Sequence, residues 1–91
     1  MTQEQIAELA RRFIAEQGFK ASPNVHDRDH LIVRIQTISG ASVGSVAIPP
    51  GWCEWPQDAV TATVKASVLD SCAFAANEPA LRAEQEAKRR A

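Results

Sequence analysis

The chain has 91 residues, 45% of them hydrophobic and 23% charged, with ten basic and eleven acidic side chains and a formal net charge of −1. That length predicts one domain with a thin margin of stability, for which a second copy or a larger partner would bury more surface. The balanced charge excludes strong field-driven attraction of the whole chain to nucleic acid or anionic membrane, and no run approaches the ~20 apolar residues of a membrane-spanning helix.

The chain opens on a helix. Thr2 and Gln5 have capping-box spacing. Ile6, Leu9, Ala10, Phe13 and Ile14 follow the i, i+3, i+4, i+7, i+8 rule of an apolar stripe. Glu8, Arg12 and Glu16 form i,i+4 pairs on the polar side. Gly18 predicts a left-handed stop, and Phe19 is the apolar residue that folds back over it. Phe19 to His26 reads as a short, weak strand. Pro23 cannot donate to a ladder, so this strand belongs at a sheet edge. After a turn at Asp27-Arg28-Asp29, the alternation of Leu31, Val33 and Ile35 with His30, Arg34 and Gln36 predicts a strong strand over His30 to Ile38. Ile32 and Ile38 break its polar side.

Ser39-Gly40-Ala41-Ser42 is a hairpin turn signal, followed by a strand over Val43 to Ile48. The parity of Val43 disagrees with that of Val46 and Ile48, and Gly44 between them suggests a bulge. Pro49-Pro50-Gly51 ends the sheet. Pro56 fits the first position of a second helix over Gln57 to Ala76, with Asp58 in its first turn. Val60, Val64, Val68, Phe74 and Ala75 fall within one broad arc, with Cys72 near its edge. Asn77-Glu78-Pro79 is expected to break this helix. Residues 79–91 read as a polar helical tail beyond a domain of residues 1–78, with Leu81 its one large apolar residue.

The order is helix–strand–strand–strand–helix. It predicts an α+β fold, with two amphipathic helices covering one face of a three-stranded antiparallel sheet. This order resembles that of double-stranded-RNA-binding domains. The resemblance is one of topology, without a shared motif. Those domains set lysines at the start of the second helix against phosphates. Here that stretch is Pro56-Gln57-Asp58-Ala59, which offers an acid and no lysine, so the resemblance extends to topology and not to the residues that carry the activity.

The run His26-Asp27-Arg28-Asp29-His30 is the one cluster of titratable groups. Its residues straddle a tight turn instead of standing at zinc-ligand spacing, so a solvated turn is expected and neither metal nor cofactor is assigned. Cys53 and Cys72 are too few for a disulfide framework. The start Met1-Thr2-Gln3-Glu4-Gln5 has no basic segment of a secretory signal, so reduced thiols in the cytoplasm are expected. Cys53 sits beside Glu54 and two indoles, a setting that disfavours thiolate, and Cys72 reads as a small core hydrophobe. Abundant alanine and absent tyrosine fit a GC-rich bacterial or phage genome.

Both tryptophans lie in Pro49-Pro50-Gly51-Trp52-Cys53-Glu54-Trp55-Pro56, the joint between sheet and second helix. Trp55 is expected to staple under that helix, with Trp52 either capping an open end of the sheet or, in the functional reading, standing exposed as an interface anchor. With no catalytic constellation in view, the chain reads as a non-enzymatic protein-binding module. A concrete form is a small phage- or mobile-element-encoded inhibitor of a host complex, of the anti-CRISPR type. Its expected contact residues are Trp52, Glu54, Asp27, Arg28, Asp29 and Arg34. The alternative is a nucleic-acid binder using Lys88, Arg89 and Arg90 of the tail. A homodimer through the mixed face bearing Ile32 and Ile38 is compatible with either.

Overall fold

The computed structural model of the chain describes residues 1–76 and residue 87. Two helices cover one face of an antiparallel sheet, the α+β arrangement that the pattern predicts. The expected domain boundary at residue 78, the break at Asn77-Glu78-Pro79 and the helical tail lie outside the described residues.

Helix α1 spans Gln3–Glu16, and its N-terminus carries the full capping box: the Thr2 hydroxyl accepts from the Gln5 N–H, and the Gln5 side chain accepts from the Thr2 N–H. Its end is a Schellman stop. Gly18 takes φ +84°, its N–H donates to Ala15 C=O, and the Phe19 N–H donates to Ile14 C=O. Phe19 is thereby turned into the core beside Ile14.

Among the described residues the sheet has four strands instead of three: β1 (Lys20–Ala21), β2 (Val25–Asp27), β3 (His30–Gln36) and β4 (Ser42–Ile48). The extra strand arises because the predicted edge strand is divided. β1 pairs with the far end of β3 and β2 with its near end, and the register slips by one residue between them, from Ala21↔Ile35 to Val25↔Ile32. The division falls at Pro23, which has no N–H to give the ladder. Ser22 bridges the gap: its N–H donates to Arg34 C=O at 2.9 Å, and its hydroxyl accepts from the Arg34 N–H at 3.0 Å. Arg11, on α1, donates to the Asn24 side chain at the same break.

β4 lies along the other side of β3, in register from Leu31↔Ile48 to Ile35↔Gly44 and then Gln36↔Ser42. Val43 is the extra residue, which explains its discordant parity. The turn between β3 and β4 is locked by Thr37, whose N–H donates to Ala41 C=O while its hydroxyl accepts from the Ala41 N–H. The opposite hairpin turns on Arg28 and Asp29, with Arg28 left-handed at φ 57°.

Leu31, Val33 and Ile35 of β3 and Val46 and Ile48 of β4 are buried beneath Ile6, Ala10 and Ile14 of α1 and Val60, Val64 and Val68 of helix α2 (Gln57–Ala76). Cys72 and Ala75 complete the buried stripe of α2. Phe74, expected in that arc, is instead 71% exposed. It leaves the helix roughly 100° round from the centre of the Val60–Val64–Val68–Cys72 ridge, which is the ridge the sheet selects. Pro56 precedes α2, and its C=O accepts the first helical bond from the Val60 N–H. No helix among the described residues is long and apolar enough to cross a membrane.

Candidate functional site

Pro50–Glu54 form a 3-10 turn between β4 and α2. The Trp52 N–H donates to Pro49 C=O, and the Trp55 N–H donates to Trp52 C=O. This winding overturns the staple expected of Trp55 and leaves Trp52 structural. Trp52 is turned inward and packs against the core, while Trp55 is 44% exposed. Trp55 has extended backbone (φ −76°, ψ 154°), as the residue before a proline must, so its side chain is thrown off the turn instead of tucking under α2. The two rings stack with centroids 5.6 Å apart and planes tilted by 33°. A half-buried indole thus holds an exposed one. Cys53 is half-buried against the core, and Glu54 is exposed.

The hairpin tip lies at the same end of the molecule. Leu31, next to the tip, pairs with Ile48, the last residue of β4 before the prolines. Gln3, in the first turn of α1, joins the two: its amide nitrogen donates to Asp29 C=O at 2.7 Å and to Ile48 C=O at 3.0 Å. Asp27, Arg28 and Asp29 are therefore brought to the same end as Trp52, Glu54 and Trp55. Arg34 is not. It stands on the uncovered face of the sheet, four residues along β3 from His30, roughly 13 Å away.

That uncovered face has an order that no single strand reveals. Asp27 pairs with His30 across the first row, and Val25, Ile32 and Ala47 line up across three strands in the next. Arg34 and Ser45 follow, then Lys20, Gln36 and Ser42. Between tip and apolar row is an open depression of about 450 Å³ lined by Asp27, Arg28, Asp29, His30, Ile32 and Ala47. The His30 Nδ1 lies 2.8 Å from Asp29 Oδ1, with both side chains largely in solvent. An exposed contact of that kind orients the imidazole and adds a few tenths of a kcal/mol. No three of His, Cys, Asp and Glu gather in metal-binding geometry among the described residues.

The two thiols differ in setting. Burial pushes the Cys72 thiol up from 9.0 to about 11. Since the folded value lies above the unfolded one, Cys72 contributes fully to stability below pH 9 and loses that contribution as the pH rises through about 11. Urea midpoints between pH 8.5 and 11 are expected to fall by an amount equivalent to roughly 2 kcal/mol, and Cys72→Ala to flatten that part of the slope. In native protein at pH 8, a disulfide reagent is expected to label Cys53 and to reach Cys72 only on unfolding. Equal labelling would show that α2 does not seal Cys72.

Among the expected contact residues, Trp52 is half-buried against the core, and the exposed indole is Trp55. The exposed member, Trp55, was missed because its spacing to Val60 matches a helix staple. The signal that finds it is the proline that follows. Lys88, Arg89 and Arg90 lie outside the described residues. Fold and site define a small α+β domain with helices on one sheet face and a supported aromatic pair at one end. No family model matches the chain, and neither a characterised protein nor a solved structure shows significant similarity to it.

Proposed function

We propose that the chain is a non-enzymatic protein-binding module that contacts its partner with the end bearing Trp55, Glu54 and the hairpin tip Asp27–Asp29. The observation that carries this reading is the exposed Trp55 ring held 5.6 Å from Trp52, which itself packs against the core. A large indole fixed in place before binding loses little conformational entropy when it is covered, and such residues dominate the energetics of interfaces. Glu54, Asp27 and Asp29 beside Arg28 supply a charged rim, which sets orientation and on-rate more than affinity. Arg34 and the Val25–Ile32–Ala47 row extend the surface along the open sheet face. The finer reading is an inhibitor encoded by a phage or mobile element. It rests on size and composition, since a small rigid domain acts most simply by occluding a surface on a larger complex.

Immobilised wild-type protein is expected to retain a specific partner from bacterial lysate. Trp55→Ala should weaken that partner by roughly 30-fold, the scale of a 2 kcal/mol hot spot, with an unchanged melting temperature. Equal retention by Trp55→Ala would overturn the assignment of the anchor. Retention abolished by nuclease would instead assign the chain to nucleic acid.

A further inference from the structure

The two edges of the sheet are built differently. On the β1/β2 side, Pro23 and the register slip interrupt the pairing edge, and Lys20 and Asp27 add charge. These are the devices by which proteins keep an edge from recruiting another strand. The β4 side has fewer. Ser42–Ile48 carries no charged residue and no proline, and its one irregularity is the bulge at Val43, near one end.

The hydrogen bonds show which atoms that edge presents. Both backbone groups of Arg34 turn toward Ser22, its N–H to the Ser22 hydroxyl and its C=O to the Ser22 N–H. Arg34 and its β4 partner Ser45 are therefore a non-hydrogen-bonded antiparallel pair, and the Ser45 N–H and C=O point away from β3. Ala47, two residues on, has the same orientation. Both residues are exposed, and among the described residues neither has a backbone partner on that side. Helix α2 overlies the same strand: Ser71 Cβ lies 3.1 Å from where a side chain on Gly44 would begin. Ser67 and Phe74 continue that flank at i−4 and i+3, so the 71%-exposed Phe74 ring leaves α2 on the β4 side.

The geometry points to the β4 edge as a homodimer interface, in which β4 of two copies pairs antiparallel about a two-fold axis near Val46 and the sheet runs continuously through both. Ser45 would pair with Ala47 of the second copy, and Ala47 with Ser45, so that both outward N–H and C=O pairs are used. The occupant is a second copy because the edge is complementary to itself. No charge on β4 opposes its own image, and the isologous contact consumes both open edges and leaves only the guarded ones. The axis stands perpendicular to the sheet, so both α2 helices lie on the same face with their Phe74-bearing flanks turned toward each other. This inference is independent of the partner-binding end at Trp55.

Sedimentation equilibrium is expected to give about 20 kDa at high micromolar concentration, twice the 9.9 kDa of one chain. Ala47→Pro removes an outward N–H that has no partner among the described residues, and is expected to give a folded 9.9 kDa species. Amide exchange in the wild-type protein tests the pairing without any variant. The Ser45 and Ala47 amides should be slowed roughly tenfold or more at high concentration and released on dilution, while Val46 and Ile48, turned toward β3, stay protected throughout. A wild-type monomer at all concentrations, or fast exchange at Ser45 and Ala47 in the dimer, would overturn the proposal. So would protection that persists in the monomer, which would mean that the chain covers its own edge.

Discussion

Leu31→Ala is expected to lower the stability of this domain by about 3–4 kcal/mol, against a total of roughly 5–13 kcal/mol for a chain of this length. Leu31 is fully buried, pairs with His26 on one side and Ile48 on the other, and faces the helices. Truncation leaves a cavity beneath the central strand that neither neighbouring strand can close. The urea midpoint should fall with an unchanged m-value, and the melting temperature by some 12–30 °C. Its neighbour Ile32 supplies the control. Ile32 is on the uncovered face between Val25 and Ala47, so Ile32→Ala should cost about 1 kcal/mol or less. Equal losses at the two positions would mean that both sheet faces are covered in solution, the outcome expected of a dimer built on the Ile32 face instead of the β4 edge.

The second large effect is expected at Gly44. A residue other than glycine is ordinarily better in a strand by about 0.5–1 kcal/mol, so propensity alone predicts that Gly44→Val stabilises. The packing predicts the reverse. A Cβ on Gly44 would lie 3.1 Å from Ser71 Cβ and 3.4 Å from its hydroxyl, with Ile35 Cδ1 at 3.9 Å behind. Ser71 Cβ is attached directly to the α2 backbone, which Val64, Val68 and Cys72 hold down on either side. Relief therefore requires moving the helix. Gly44→Val should cost about 2–3 kcal/mol, and Gly44→Ala about 1–2 kcal/mol. Ser71→Gly alone costs about 0.5 kcal/mol of helix propensity. Combined with Gly44→Ala it removes the clash, so the double variant should be more stable than the sum of the single losses by about 1 kcal/mol. Strict additivity would show that α2 and β4 do not meet at this point.

The elements that local chemistry determines were legible residue by residue. The Thr2–Gln5 capping box, the Gly18 stop with Phe19 folding over it, and the bulge implied by Val43 and Gly44 each depend on a few neighbouring residues, and each is present. Pro23 marked the weak edge, although the one-residue slip that divides the strand depends on where β3 offers its partners. The candidate site was legible in composition and not in geometry. The Pro49–Pro56 segment contains the aromatic pair, but which indole faces solvent is decided by a 3-10 turn and its packing against the core. Phe74 falls within a plausible apolar arc on a helical wheel, and only the placement of α2 on β4 turns it outward.

By itself, then, the sequence determined the α+β class, the helix ends, the inward side of β3 and β4, and the joint at Pro49–Pro56. These follow from backbone restrictions and from side-chain periods of 2 and 3.6, which act over a few residues. Only the tertiary structure decided that Trp55 and not Trp52 is the exposed indole, that Gln3 ties the hairpin tip to the end of β4, and that Ser45 and Ala47 turn outward backbone groups that have no partner among the described residues. Those outcomes depend on register and on which surface each element covers, set by residues dozens of positions apart competing for the same buried area.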